Sequence, residues 1–447
     1  MCKEQPRCIE CGKTFDDPIL RCSSCNNLVV IPPIKGSQIE QIQLQTMWSL
    51  SDFLPKYDKP ISLFEGNTPV VKIKNLDCYQ NLNLKLEFRN PTGSFRDRAL
   101  SLIVSDAIRM KKNTIVGAST GSFGISLAAY AAKAGLAAVN FVPQNLELSK
   151  IEQMKIFGSK VIESGGSLNE SISNAQEYAL SKNSYLATPD TNILTIEGQK
   201  TIGLELALQL SNIRSIVVPR GAGSLIYSIY RGFQDAFKSG WIEEIPSIFA
   251  VALEKTKISH LAESLNISKP FLLDEVKDVL YKTKGKEIEV KADEMISSAM
   301  LLAKKEGLFI EPASASVLVA AKILLEEDLI NTLDSVAIMS GSGFNALNIY
   351  AAQMRGKKKV VWGLSESSTT KFEILNLIAE EKAVYGYSIW ETLGKMQSLQ
   401  SIYQHLTELE KRGLISVSSK TAKRKKYELT RKGYETIEKM RNLIDFI

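Results

Sequence analysis

The chain is 447 residues long, 44% hydrophobic and 23% charged, with a formal net charge of +6. These proportions are ordinary for a globular protein with ample chain for a core, and the length suits about three domains. No stretch of 18 or more uncharged apolar residues occurs, which argues against a membrane span.

The chain opens on Met1-Cys2-Lys3-Glu4-Gln5-Pro6, without the basic-then-apolar pattern of a secretion signal, so a cytoplasmic location is expected. Four of the six cysteines come next. Cys8-x-x-Cys11 and Cys22-x-x-Cys25 form two pairs, a spacing that points to a tetrahedral zinc site with four thiolate ligands. Four thiolates fill the coordination shell, so the ion would be structural. A disulfide is the alternative, and the cytosolic character of the rest of the chain weighs against it. Cys2 and Cys78 have no evident partner.

Residues 36–60 contain an amphipathic stretch, followed by Gly66-Asn67-Thr68-Pro69-Val70. Short apolar runs then alternate with helical periodicity. Strands are predicted over 113–119, 137–142, 160–163, 215–219, 249–253 and 336–339. Helices are predicted over 123–134, 148–157 and 168–180. The alternation predicts an α/β fold with a mainly parallel sheet and helices on both faces. The composition breaks after Tyr350. Arg355-Gly356-Lys357-Lys358-Lys359 and the polar run 365–370 fit an inter-domain linker, placed at 361–370.

Beyond the linker, Phe372, Leu375, Ile378 and Ala379 recur at helical spacing. Tyr385-Gly386-Tyr387-Ser388-Ile389-Trp390 starts a second helix. Residues 398–406 read as a third, with Leu399, Ile402 and Leu406 toward a core and Gln400, Ser401, Tyr403 and Gln404 outward. A strand, the basic tip Lys420-Thr421-Ala422-Lys423-Arg424-Lys425-Lys426 and a strand over 427–429 form a hairpin, and 434–447 a last helix. Alone, the basic tip reads as a solvated turn. Beside a helix that exposes donors and acceptors, it suits phosphate contact.

Asn90-Pro91-Thr92-Gly93-Ser94-Phe95-Arg96-Asp97-Arg98 resembles the cofactor-lysine motif of threonine synthases, N-P-T-G-S-F-K-D-R. Arg96 stands where that family's lysine forms a Schiff base with pyridoxal phosphate (PLP). Gly66-Asn67-Thr68-Pro69 resembles the family's G-N-T-P motif, and Ala118-Ser119-Thr120-Gly121-Ser122 its A-S-T-G-N loop for the substrate carboxylate. Val218-Pro219-Arg220-Gly221-Ala222-Gly223-Ser224 resembles its V-P-V-G-N-G-G phosphate loop. Ser340-Gly341-Ser342-Gly343 resembles the segment whose hydroxyl meets the pyridine nitrogen. Glu197-Gly198-Gln199-Lys200-Thr201 and Glu311-Pro312-Ala313-Ser314-Ala315 match two further segments, with Lys200 at a lysine that does not carry the cofactor.

The resemblance implies a two-lobed type II PLP fold (tryptophan synthase β-like) over 36–360, preceded by a zinc ribbon over 1–35, as in many threonine synthases. A guanidinium stays protonated and cannot condense with an aldehyde. Ser122 replaces the family's Asn, Ala222 and Ser224 alter the phosphate loop, and Arg220 is added beside it. The expectation is therefore a catalytically inactive protein with no catalytic residue and no covalent PLP. PLP held without a covalent bond is a variant. The emptied pocket would bind a small anionic effector, an amino acid or phosphorylated amino acid. Its candidate contacts are Arg96, Ser119, Thr120, Gly121, Ser122, Arg220, Gly221, Ala222, Gly223, Ser224 and Ser340.

Residues 371–447 resemble PadR-like winged-helix regulators, with Leu406-Thr407-Glu408-Leu409-Glu410-Lys411-Arg412-Gly413-Leu414-Ile415 matching L-x-x-L-E-K-R-G-L-I. The resemblance implies a recognition helix and wing that bind double-stranded DNA through Ser398, Gln400, Ser401, Tyr403, Gln404, Lys423, Arg424 and Lys425, and a last helix used for dimerisation. The chain is expected to be a homodimeric transcriptional regulator that senses a metabolite. A threonine synthase or related lyase with a regulatory DNA-binding tail is the alternative, and a scaffold for an active enzyme subunit a third. Winged helices also serve as protein-interaction modules.

Overall fold

Two short antiparallel strands, β1 (Arg7–Cys8) and β2 (Val29–Val30), open the fold. Each cysteine pair sits on a tight turn. The Gly12 N–H donates to the Cys8 carbonyl and the Asn26 N–H to the Cys22 carbonyl. Both residues take positive φ, +70° and +56°, which glycine and asparagine tolerate best. Leu20, Leu28 and Val29 are buried in one apolar cluster with Ile229 and Phe233 of the main body. The computed structural model describes residues 5–144, 146–254, 264–265, 267, 270–354, 366–381, 384–393, 399–421 and 424–446. The chain divides into two units, residues 1–347 and 348–447.

In the first unit, β3 (Val70–Lys72) and β4 (Asn83–Lys85) pair antiparallel and lead to helix α1 (Arg96–Arg109). Then β5 (Thr114–Ala118), α2 (Ser122–Ala134), β6 (Ala137–Val142), α3 (Leu148–Ile156), β7 (Lys160–Glu163), α4 (Leu168–Ser181) and β8 (Tyr185–Leu186) wind a parallel sheet of order β7-β6-β5-β8. The chain continues through α5 (Leu194–Gln199), α6 (Thr201–Gln209), β9 (Ser215–Pro219), α7 (Ser224–Lys238), β10 (Ser247–Leu253), α8 (Leu273–Lys282), β11 (Glu287–Val290), α9 (Ala292–Glu306), α10 (Pro312–Glu326) and β12 (Ser335–Ile338). These strands build a second sheet, order β11-β10-β9-β12-β4-β3, parallel except at β3. β9 and β12 are buried along their whole length, as unbroken apolar strands covered on both faces should be. α11 (Leu347–Met354) starts at the last residue of this unit and belongs otherwise to the second.

The six strands read from sequence all form, within one or two residues at each end. β3, β4, β8 and β11, two to four residues long, had no counterpart in that reading. The amphipathic stretch in 36–60 holds a 3₁₀ segment, Met47–Phe53, that buries Met47, Leu50 and Phe53.

The second unit contains α12 (Glu366–Glu381), β13 (Val384–Tyr385), α13 (Gly386–Thr392), α14 (Leu399–Lys411), β14 (Ile415–Thr421), β15 (Arg424–Leu429) and α15 (Arg431–Phe446). Its antiparallel sheet has the order β13-β15-β14. Ile374, Ile378, Ile389, Ile402, Leu406 and Tyr427 form its core. Residues 366–370, read as linker, are the start of α12; residues 361–365 lie outside the described residues.

Candidate functional site

The motif around Arg96 is built on a fully buried ionic floor. Arg98 donates from Nε and Nη2 to Glu87 at 2.8 and 2.7 Å, and from Nη2 to Glu205 Oε2 at 2.8 Å. Lys85 Nζ donates to Glu205 at 2.7 Å, Gln209 at 2.8 Å and the Thr68 carbonyl at 2.9 Å. Burial alone would raise the Glu205 carboxyl, yet the Arg98 and Lys85 cations hold its pKa down to about 2. Other polar groups of these motifs tie loops to this floor. Asn67 N–H donates to Glu205, Gly66 N–H to Asn90 Oδ1, and Thr68 Oγ1 to Glu87. Asp97 accepts from Thr92 N–H and Oγ1 at 2.7 and 2.6 Å, and from Ser126 Oγ. Burial still pushes its carboxyl up to about 6. Together these bonds fix the head of α1, where Arg96 projects.

Arg96 is in a different situation. Its guanidinium lies 5.0 Å from the Phe95 ring centroid and, among the described residues, makes no ion pair or side-chain hydrogen bond. Burial lowers its pKa and the charge of Glu311 opposes that. The Phe95 N–H donates to the Ser340 carbonyl, Ser94 bridges Gly341, and the Glu311 N–H donates to the Gly341 carbonyl. Arg96, buried Ser340 and Glu311 are therefore brought together. Burial raises the Glu311 carboxyl, while Lys150 and Arg96 pull it back down.

The 119–122 turn joins β5 to α2. Ser119 Oγ accepts from the Gly121 and Gly124 amides at 2.9 and 3.0 Å, so the turn spends those two N–H groups on itself. Thr120 and Ser122 are partly exposed. A Cβ at Gly121 would lie 3.3 to 3.7 Å from Cδ, Cε and Nζ of Lys150, which reaches over the turn from α3. Lys150 and Glu311 were missed in sequence: Lys150 belongs to no motif, and Glu311 only marked a matching segment.

The 221–224 turn heads α7, with Gly223 at φ +97°. A Cβ at Gly221 would meet the Ser264 carbonyl at 2.2 Å, so no larger residue fits there. Ala222 uses its carbonyl to accept from Leu272 N–H, and Ser224 is buried. Arg220 departs from expectation. Its Nε lies 2.5 Å from Glu287 Oε2 on β11, and its exposure is 8%, so its charge is already met within the fold. Lys200 is locked between Glu197 at 2.6 Å and Asp235 at 2.9 Å. Burial would lower its pKa, but those carboxylates hold it raised.

The Sγ atoms of Cys8, Cys11, Cys22 and Cys25 all lie within 4.8 Å of one another, and none is in a disulfide. Cys8–Cys25 is 3.4 Å and Cys11–Cys22 3.6 Å. A disulfide needs about 2 Å, whereas thiolates around zinc at about 2.3 Å stand roughly 3.8 Å apart. The donor set fits a tetrahedral ion.

In the second unit α14 buries Ile402, Leu406 and Leu409 and exposes Gln400, Tyr403 and Gln404, with Ser401 between. The Tyr403 ring crosses the head of α13. A Cβ at Gly386 would sit 2.7 Å from its Cε1, which explains the glycine. Lys425 is exposed on β15, 3.6 Å from Glu410. Arg424 begins β15, so most of the expected basic tip is strand. Ser398 and Lys423 lie outside the described residues.

Residues 61–341 match the family of pyridoxal-phosphate dependent enzymes, and residues 374–439 the PadR-like family of transcriptional regulators. The chain is similar to the threonine synthase of Methanocaldococcus jannaschii, 32% identical over 372 residues that cover 75% of this chain and 92% of the relative. It is similar to that of Methanosarcina acetivorans, 29% identical over 365 residues, 75% and 90%. Among solved structures, threonine deaminase isoform 2 from Solanum lycopersicum has a TM-score of 0.56 at 19% identity, over 72% of this chain and 93% of that one. O-acetylserine dependent cystathionine β-synthase from Helicobacter pylori has a TM-score of 0.54 at 24% identity, over 69% and 98%. The fold is shared with both.

The expectation that the chain is not an enzyme fails against these findings. Relatives at about this level of identity are threonine synthases, and the matched family is one of enzymes. The expectation against PLP likewise finds no support, since the family is defined by dependence on that cofactor. No helix among the described residues is long and apolar enough to cross a membrane.

Proposed function

We propose, because the chain belongs to the pyridoxal-phosphate dependent enzyme family and ends in a PadR-like transcriptional regulator domain, that it is a DNA-binding regulator whose threonine synthase-like domain senses a small anionic metabolite. One observation carries this reading: the two modules, 61–341 and 374–439, share one chain. The metabolite is an amino acid or phosphorylated amino acid. In this reading Arg96 takes the place of the family's cofactor lysine, and Arg96, residues 119–122, residues 221–224 and Ser340 form the pocket. Arg220 acts only through Glu287. PLP, when bound, supplies an electron sink. The amides at the head of α7 suit its phosphate, and Ser340 would lie at its ring.

The organisation that goes with this reading is a zinc ribbon over 1–35, a ligand-sensing domain over 36–360, a linker over 361–370 whose last five residues fold as the start of α12, and a winged helix over 371–447. Gln400, Ser401, Tyr403 and Gln404 read base edges or phosphates, and Arg424 and Lys425 reach phosphates from the wing. A two-fold homodimer would match a pseudo-palindromic operator. A gel-shift series of the full chain on its own promoter region tests this. Retardation that changes when an amino acid is added is the expected result; no retardation at low salt, with or without amino acids, overturns it.

The threonine synthase relatives favour a second reading, a PLP-dependent lyase with a regulatory DNA-binding tail. A visible absorption band that borohydride removes, leaving the cofactor fixed to a lysine in a mapped peptide, would select it.

A further inference from the structure

We propose that Arg21 is a positioning residue, which links the metal site of the ribbon to the 221–224 turn through the head of α8. The consequence for ligand binding rests on the anion-holding role given to that turn above.

The link begins beside the second cysteine pair. Arg21 stands between buried Leu20 and buried Cys22, and its backbone bridges Leu28. Its side chain leaves the ribbon. Nη1 donates to Glu275 Oε1 at 2.7 Å, in the first turn of α8. Nη2 donates to the Phe271 carbonyl, one residue before the cap of that helix. The cap, Leu272, is fully buried, and its N–H donates to the Ala222 carbonyl. A Cβ at Gly223 would lie 3.0 Å from Cβ and the carbonyl oxygen of Leu272 and from Cγ2 of Val276. The head of α8 is therefore a wall of the turn, packed with no room for a side chain between them.

A second set of bonds supplies the contrast. Arg231 Nη2 donates to the Ile31 carbonyl, and the Ile34 N–H to Asp235 Oδ1, so the middle of α7 is held by residues beyond the last cysteine. Those bonds lie outside the loops that four thiolates would close around an ion. Arg21 lies between the two cysteine pairs, next to Cys22, so a bound ion fixes the backbone from which its side chain reaches. Arg21 and Glu275 are 32% and 14% exposed, so water screens their attraction in part. The bond to Phe271 is charge-assisted and ends on a backbone carbonyl, which makes it the better positioner of the two.

The test follows amide hydrogen exchange in the full, zinc-loaded chain. In Arg21→Met the Leu272 amide and those of 221–224 are expected to exchange about ten-fold faster, while the amides of α2 keep their rates. Glu275→Gln cuts the link from the α8 side without touching the ribbon and should speed Leu272 about three-fold. Lys13→Met removes exposed bonds to Ser23 and Ser24 inside the ribbon and should change neither segment. Stripping zinc with a chelator should speed the same amides in the unaltered protein. In Arg21→Met it should add less than about two-fold, because the link is already cut. Inorganic phosphate is then titrated by calorimetry, and its Kd is expected to rise at least about three-fold in Arg21→Met. Unchanged exchange at Leu272 in Arg21→Met or in Glu275→Gln overturns the inference. So does an equal effect of zinc removal on the unaltered protein and Arg21→Met, or an unchanged Kd for phosphate that protects the 221–224 amides. Phosphate that protects none of those amides in the unaltered protein overturns the anion role of the turn and leaves the link standing.

Discussion

Arg98 and Arg96 lie two residues apart at the head of one helix, and the fold treats them in opposite ways. Arg98 is 0% exposed and grips two carboxylates, with Lys85 completing the cluster. The Arg96 guanidinium lies beside the Phe95 ring and makes no ion pair among the described residues. The first arrangement is a scaffold. Its charges are spent on one another, and it fixes the G-N-T-P and N-P-T-G-S-F segments around α1. The second leaves the guanidinium without an ion pair among the described residues, as the proposed ligand contact would require. Arg220 and Lys200 fall in the first class, since Glu287 and the Glu197–Asp235 pair meet them. A cation in a pocket motif is a ligand contact only where the fold has left it unmatched.

The sharpest way to break this comparison is to truncate both arginines. Arg98→Met leaves Glu87 and Glu205 sharing one buried lysine and is expected to cost about 3–5 kcal/mol in denaturant unfolding. Arg96→Met should stay within about 1 kcal/mol of the parent. Equal losses would erase the contrast. Next in size is the ribbon. Cys22→Ser should abolish a one-to-one zinc content measured by elemental analysis and lower the stability of the protein. Retained stoichiometric zinc would contradict the four-thiolate site.

The same division between matched and unmatched groups applies to α14. Lys371 pairs with Glu408, whereas Gln404 is exposed, as the proposed base contact requires. Gln404→Ala should cost specific DNA binding about 1–3 kcal/mol by fluorescence anisotropy and leave non-specific binding unchanged. Uniform loss across sequences would move Gln404 to the phosphate class. The smallest effect concerns Asp97. Its folded pKa is raised to about 6 from 3.8, so the unfolded chain releases this proton first. Its contribution to stability is full at low pH and lost as pH rises through that interval. Asp97→Asn should flatten this part of the stability–pH curve, and an unchanged curve would assign the slope to other groups.

Much of the parallel architecture was legible because β5, β6, β9, β10 and β12 are runs of apolar, often β-branched residues between glycine-bearing turns. β3 and β8 were not, because two or three residues carry no usable period, and β11 was not, because its four residues alternate charged and apolar where β12 is a run without charges. That omission had a consequence. With β11 unseen, Glu287 had no place beside β9 and β10, and Arg220 looked free. The ionic floor was illegible for a related reason: Lys85 and Glu205 are 120 residues apart, and nothing local announces their contact. Arg96 was found through its motif. Its counter-charge Glu311 required the bridge between Ser94 and Gly341, which only the fold supplies.

The most direct test of the account is the affinity of the full chain for its promoter DNA, measured by anisotropy with and without a saturating amino acid selected by a thermal-shift screen of the common L-amino acids. A change of about 5- to 150-fold in Kd, absent in Arg96→Met, is the expected result. An unchanged Kd for a protein that binds both the amino acid and the DNA would contradict it.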